Sequence, residues 1–385
     1  MKIVFANFRE PYPFILGGDG VNIHTYFQFF QKRNHQCTWV GPLIKDHELS
    51  SNPIETWRRL IFLFKNNYRP RITLNFKHGL CFAIRYDNNY TCYATSHRQV
   101  IQKLQSIISD DFPDLIFTQL DGATEIIEEA LKKKIPTIIF ANDCEKPTIE
   151  QIKKINSNVL GVVCVSKYVK LKLKNITNKP IMVLYPPENR ADYYVSKKSK
   201  KMFITCINPV KVKGGKIFEK IVQSLPNEIF LVAKGWYDPI KDNLDFTKYN
   251  NVVVLEKQFD PKIIYQQTKL LLVPSLWEEA IPRVITEAGI NGIPTIASNR
   301  GGISEAIGNS GILIKNPRDI SSWIKSITWI LKNKKEYKKM SLRSKKYAEK
   351  FYVEIIGLKL EEWLLKVLDQ KKSIYRKKNS KRTSA

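Results

Sequence analysis

The segment Pro274-Ser275-Leu276-Trp277-Glu278-Glu279-Ala280-Ile281-Pro282-Arg283-Val284-Ile285-Thr286-Glu287-Ala288-Gly289 gathers carboxylates where a buried strand hands over to a helix. The apolar run 270–273 stops at Pro274. Proline suits the first position of a helix, so a helix is expected to open near Pro282. Glu279 then stands in the loop before it. Glu287, eight residues on, follows slightly more than two turns later on a similar face. Backbone N–H groups at such a terminus lack partners and carry partial positive charge. A phosphate can sit there while a neighbouring carboxylate grips sugar hydroxyls. Glu278 and Glu279 equally favour a helix start electrostatically with no ligand present. This stretch alone does not separate the two readings.

The next stretch, Gly292-Ile293-Pro294-Thr295-Ile296-Ala297-Ser298-Asn299-Arg300-Gly301-Gly302-Ile303-Ser304-Glu305, gives a turn, a strand and a Gly-Gly loop opening another helix. In order and in register the chain therefore holds Glu-x7-Glu after a Pro-Ser strand end, then Gly-x-Pro, then Gly-Gly-x-x-Glu. This arrangement resembles the retaining glycosyltransferases of the GT-B fold, the large family 4 group (glycosyl transferases group 1). Gly17-Gly18-Asp19-Gly20 resembles the family's N-terminal Gly-Gly loop, although by residue type it is also an ordinary flexible turn. Val163-Cys164-Val165-Ser166-Lys167-Tyr168 resembles the strand-to-helix step closing the first domain, with Ser166 as a helix cap. Pro209-Val210-Lys211-Val212-Lys213-Gly214 resembles the Lys-Gly segment that opens the second domain.

The resemblance implies transfer of a sugar from a nucleotide-diphosphate sugar to a glycan, lipid-linked or other acceptor, with retained anomeric configuration and no metal or cofactor. It implies catalytic roles for Glu279 and Asn142. It implies donor binding by Gly17, Gly18, Asn208, Lys213, Ala280, Ile281, Glu287, Gly301 and Gly302. Two positions depart from the family. Asn208 stands where an arginine would join Lys213 in clamping the diphosphate. Asn142, or alternatively Asp143, stands where many members carry a histidine; asparagine can hydrogen-bond a sugar hydroxyl but does not titrate. These departures keep open an alternative, a non-catalytic or altered homologue that binds nucleotide sugar as a partner subunit.

The elements that would position these residues follow a βαβ grammar. Near-continuous apolar runs at 3–6, 37–40, 115–117, 137–140, 161–165 and 182–184 read as strands covered on both faces. Helical patterns lie between them at 21–32, 99–108 and 123–133. Residues 46–97 are irregular and suggest a hairpin or loop excursion. Leu184-Tyr185-Pro186-Pro187 breaks the pattern, and a polar run follows. The grammar then restarts, with strands expected at 202–206, 229–233, 252–255, 270–273, 295–297 and 311–314, and helices at 216–224, 261–268, 282–291 and 320–331. The fold class expected is α/β, two doubly wound Rossmann-like domains facing a central cleft. The expected divisions are an acceptor-side domain at 1–186, a nucleotide-sugar domain at 187–355, a C-terminal helix at 356–370 packing back on the first domain, and a basic tail at 371–385.

Composition narrows the classes. The 385 residues hold 63 Lys and Arg against 36 Asp and Glu, a net charge of +27 that points to polyanions or simply to Lys-rich composition. Nucleic acid is disfavoured as a partner, because the aromatics fall within apolar runs and no recognition motif appears. The six Cys make no Cys-x-x-Cys, the five His lack metal-ligand spacing, and there is no Asp-x-Asp. The first apolar run is too short for a signal peptide, and none approaches the ~20 residues of a spanning helix. A cytoplasmic protein is expected. The segment 371–385, with seven basic residues and no acid, suits peripheral contact with an anionic inner membrane face.

Overall fold

A computed structural model describes residues 1–12, 17–43, 71–75, 81–86, 90–119, 122–155, 158–196, 200–235 and 240–380. The chain forms two compact units. The first comprises Met1–Val165, Val169–Pro187 and Val353–Ala385; the second comprises Ser166–Tyr168 and Glu188–Tyr352.

The first unit is built on β1 (Lys2–Ala6), β2 (Gln36–Leu43), β3 (Arg71–Asn75), β4 (Cys81–Tyr86), β5 (Tyr90–Ser96), β6 (Leu115–Gln119), β7 (Thr137–Ala141), β8 (Val159–Cys164) and β9 (Ile181–Val183). They form one sheet in the order β3-β4-β5-β2-β1-β6-β7-β8-β9. All neighbours from β5 to β9 are parallel. The irregular region left unplaced by sequence supplies β3, β4 and β5, an antiparallel meander attached to the parallel sheet through β5 and β2. Residues 46–70 lie outside the described residues. Helices α1 (Gly18–Lys32), α2 (Val100–Asp110), α3 (Ala123–Lys132), α4 (Lys146–Lys153) and α5 (Lys167–Leu173) follow the strands.

The second unit is all-parallel: β10 (Phe203–Ile207), β11 (Phe230–Ala233), β12 (Val252–Leu255), β13 (Thr268–Val273), β14 (Thr295–Ser298) and β15 (Ile312–Ile314), in the order β12-β11-β10-β13-β14-β15. Its helices are α6 (Arg190–Tyr193), α7 (Gly215–Ser224), α8 (Lys262–Tyr265), α9 (Arg283–Ile290), α10 (Ile303–Ile307), α11 (Ile320–Lys332) and α12 (Lys334–Ala348). The core face of α11 carries Trp323, Ile327 and Ile330, all buried. Asp319 caps that helix by accepting the Ser321 N–H at 3.1 Å. The helix expected at 261–268 is a single short turn, because Thr268 already belongs to β13. The lysine-rich α12 gave little apolar signal. It is fixed by an Asn333 cap and by Met340, Ser344 and Ala348, buried at i, i+4 spacing.

The chain ends with α13 (Val353–Ser380), which belongs to the first unit. Ile356, Leu360 and Leu364 enter the core that holds Phe27, Phe30 and Trp39. Gly357 lies so close to Phe29 that a Cβ there would meet the ring at 2.5 Å. Glu361 accepts from Arg33 Nε and pairs with His35 Nε2, both at 2.6 Å. Residues 371–380, expected as a free tail, continue this helix, and 381–385 lie outside the described residues.

Among its parallel strands each sheet has one place where strand order reverses, β2-β1-β6 in the first and β11-β10-β13 in the second. Connections diverge to opposite faces there, which opens a crevice beyond the strand carboxyl ends. Both clusters of site residues lie at these two places.

Candidate functional site

In the second unit the site is built from three loops that follow the adjacent strands β10, β13 and β14. The first loop turns sharply. Asn208 has φ +55°, a 3₁₀ turn spans Lys211–Lys213, and Gly214 takes φ +80° before α7 begins. Gly214 is needed for more than its dihedral, since a Cβ would stand 1.9 Å from the Pro274 carbonyl oxygen. Beside it, Leu276 N–H and Trp277 N–H donate to the Val212 carbonyl at 3.0 and 3.1 Å. The third loop closes on the second in the same manner. Gly302 N–H donates to the Glu279 carbonyl at 2.6 Å, and a Cβ on Gly301 would lie 2.3 Å from that oxygen.

These backbone contacts place the side chains. Glu279 Oε1 lies 3.6 Å from Lys213 Nζ and accepts from Ser275 Oγ at 3.0 Å. Glu279 is 13% exposed and Lys213 32%. The adjacent Glu278 turns the other way, pairing with Arg300 and accepting the Gly301 N–H at 3.1 Å, so the two neighbouring glutamates are not equivalent. Pro282, expected inside the helix, is its extended N-cap, and α9 begins at Arg283. The Ala280 and Ile281 N–H groups have no acceptor among the described residues. A cation, a carboxylate and two available N–H groups thus stand together at a helix N-terminus, the equipment needed to hold an anion and hydroxyls.

Glu287 belongs to a separate network. It accepts from the Tyr265 hydroxyl at 2.5 Å and pairs with Arg283 Nε at 3.5 Å. Arg283 donates to Glu188 Oε2 at 2.6 Å and to the Tyr193 hydroxyl at 3.0 Å. Burial raises the pKa of Glu287 against the pull of Arg283 and Tyr265. Burial likewise lifts Glu188 to about 8; Glu287 and Asp192 add to the rise, and Arg283 and Thr286 oppose it. Asn208, at the position of the missing arginine, is buried against Gly235, and its Oδ1 has no partner among the described residues.

In the first unit Gly17 is the N-cap of α1 and Gly18 its first residue, so neither uses a positive φ. The expected glycine loop is a helix terminus instead. Asp19, in the first turn, accepts from Arg9 at 3.1 Å and from Gln119 Nε2 at 3.2 Å. Gln119 Oε1 in turn accepts from Asn142 Nδ2 at 2.5 Å. The cluster joins the carboxyl ends of β1, β6 and β7. His35 pairs with Glu361; burial pushes the Glu361 pKa up, but hydrogen bonds from His35 and Arg33 together outweigh it and hold the carboxyl below its ordinary value. His24 is buried and stacked on Tyr12, and its pKa falls to about 3, so it is neutral. Among the described residues no three His, Cys, Asp or Glu side chains group as metal ligands. No described helix is long and apolar enough to cross a membrane.

Sequence reasoning missed Ser275, Arg283, Tyr265, Glu188, Arg9, Asp19 and Gln119. Arg283 and Glu287 are an i, i+4 pair on α9 and were readable as one. Glu188 and Arg283 are 95 positions apart, and only the fold brings them together.

Residues 192–347 match the family described as Glycosyl transferases group 1. The matched stretch covers nearly all of the second unit and every loop of its site. The chain is 30% identical over 165 residues to protein CapJ of Staphylococcus aureus, a match covering 40% of this chain and 41% of CapJ. It is 24% identical over 267 residues to an uncharacterized glycosyltransferase of Methanocaldococcus jannaschii, covering 64% of this chain and 74% of that protein. Among solved structures, Anabaena HepE in complex with UDP superposes with a TM-score of 0.69 at 13% identity, covering 95% of this chain and all of HepE. The whole chain therefore has the GT-B fold, and the matched stretch lies in its second unit.

Proposed function

We propose that the chain is a glycosyltransferase that moves a sugar from a nucleotide-diphosphate sugar to a glycan or lipid-linked acceptor. The observation that carries this reading is the Lys213–Glu279 pair beside the open N–H groups of Ala280 and Ile281, on loops whose glycines leave no room for a side chain. Lys213 and the N-terminal end of α9 would stabilise the leaving diphosphate, the task a metal performs in other enzymes. Glu279 would hold hydroxyls of the donor sugar, and Glu287 those of the ribose. The polar cluster of Asp19, Gln119 and Asn142 would serve the acceptor side. The anomeric configuration would be retained, the departing phosphate taking the acceptor proton, and no cofactor would be needed. HepE has also been crystallised with UDP-glucose, which makes uridine-diphosphate sugars the first donors to try.

The test is a panel of nucleotide sugars incubated with the full chain and candidate acceptors, with released nucleoside diphosphate measured and product anomers read by NMR. Glu279→Gln should lower turnover by about 10²–10³ with donor binding largely kept. Lys213→Ala should weaken nucleoside-diphosphate binding by ~1.5–3 kcal/mol. Unchanged turnover in the first variant removes Glu279 from the chemistry, and an inverted product removes retention. Donor binding with neither hydrolysis nor transfer would favour the partner-subunit reading, which the buried Asn208 in place of a cation supports.

A cytoplasmic site of action at the inner membrane face completes the proposal, with basic residues 371–385 as the contact. Co-sedimentation should favour anionic over neutral liposomes and fall in 1 M salt, where the Debye length is ~3 Å. Equal binding by a chain ending at Gln370 removes that contact.

A further inference from the structure

The network around Glu287 contains a charge that the donor-binding reading does not use. Arg283 is 10% exposed, and its guanidinium touches two carboxylates, Glu188 Oε2 at 2.6 Å and Glu287 Oε1 at 3.5 Å. Glu188 is completely buried and lies 98 positions from Thr286, its other partner. The geometry points to Arg283 as the positioning residue for Glu287, anchored from below by Glu188 and presenting its Nε edge to the carboxylate that meets the donor ribose. This inference rests on the proposed role of Glu287.

The hydrogen bonds show how one cation can serve two acids. Thr286 Oγ1 lies 2.6 Å from Glu188 Oε1 and 2.8 Å from the Arg283 carbonyl oxygen. A hydroxyl has a single hydrogen, so both contacts are satisfied when Glu188 itself carries a proton. Glu188 then donates to Thr286, and Thr286 donates to the Arg283 carbonyl. The upward pKa of Glu188 agrees with that arrangement. With Glu188 neutral, the positive charge of Arg283 is left for Glu287, while Glu188 Oε2 and the Tyr193 hydroxyl still fix the plane of the guanidinium. The Tyr265 hydroxyl holds the other Glu287 oxygen, so the carboxylate is gripped on both sides. A planar fork can make these contacts together; an ammonium cannot.

The experiment compares affinities of the full chain for uridine, guanosine and adenosine diphosphates with those for their 2′,3′-dideoxy counterparts. The ratio for the base that binds reports the ribose hydroxyls alone, and a general loosening of the fold does not move it. The parent should favour the ribose form by about tenfold or more, as expected for hydrogen bonds to a carboxylate. Glu287→Gln should lose most of that preference. Arg283→Lys should lose it to a similar degree, and Arg283→Met should match Glu287→Gln. Glu188→Gln, which mimics the protonated acid, should keep the preference. An unchanged ratio in both Arg283 variants, or its collapse in Glu188→Gln, overturns the inference. A parent that does not distinguish the two sugars overturns the ribose role of Glu287 instead.

Discussion

At Glu188 the buried network ties folding to pH. A carboxylate whose pKa is lifted from 4.5 to about 8 binds its proton more tightly in the folded chain than in the unfolded one. Its contribution is therefore complete below about pH 4.5 and is lost as pH rises through about 8. Thermal unfolding of the parent should show stability declining across that window, and Glu188→Gln should flatten the decline. An identical slope in both proteins would place the proton elsewhere. Single residues were unevenly legible in the sequence. Lys213, Glu279, Gly301 and Gly302 could be picked out because each sits in a short motif whose spacing has a mechanical meaning. Asn208 was recognised as an anomaly, yet its burial and φ of +55° were not readable. An arginine placed there would carry the left-handed strain of roughly 1–2 kcal/mol, so restoring the family residue should not simply restore a clamp.

Among elements, the loops after β10, β13 and β14 behave as one piece because backbone meets backbone where glycine stands. Gly214→Ala adds a Cβ that would fall 1.9 Å from Pro274 O, at φ +80°. The strain of the left-handed conformation alone costs roughly 1–2 kcal/mol, and the clash must be relieved by moving the second loop. Nucleoside-diphosphate binding should therefore fall together with the melting temperature, although Gly214 itself has no group for the ligand. Preserved affinity in a less stable variant would show that the loops move independently. The strands were the most legible elements. β13 reads Thr-Lys-Leu-Leu-Leu-Val and is buried throughout apart from Lys269, as a strand between two helical layers must be. The meander was opaque for the opposite reason. β5 reads Tyr-Thr-Cys-Tyr-Ala-Thr-Ser, and its pairing with β2 depends on contacts across more than fifty residues of chain. α12 was opaque because lysine dominates it and its fully buried residues, Met340, Ser344 and Ala348, are small or flexible.

For the whole molecule, the first unit depends on a segment that arrives last. Leu360 is fully buried in the core that holds Phe27 and Phe30. Leu360→Ala should cost ~2–5 kcal/mol, and the loss should fall on the first unit. Hydrogen exchange would show it as faster exchange in β1, β2 and α1, with β10 and β13 protected as before. Uniform loosening of both sheets would argue for a single cooperative block. That the chain returns to its first unit was expected from family resemblance; the depth of the return, through Gly357 against Phe29 and Glu361 against His35 and Arg33, was not. The arrangement also sets a timetable. On the ribosome, the residues of β1 to β9 emerge before Val353 has been joined to the chain, so their aromatic core lacks the helix that covers it. Apart from Ser166–Tyr168, the second unit is one continuous stretch, Glu188–Tyr352, and can close as soon as it is made. The part translated first is thus the part finished last, and a nascent chain stalled before α13 should hold a finished second unit tethered to an unfinished first one that chaperones and proteases can still recognise.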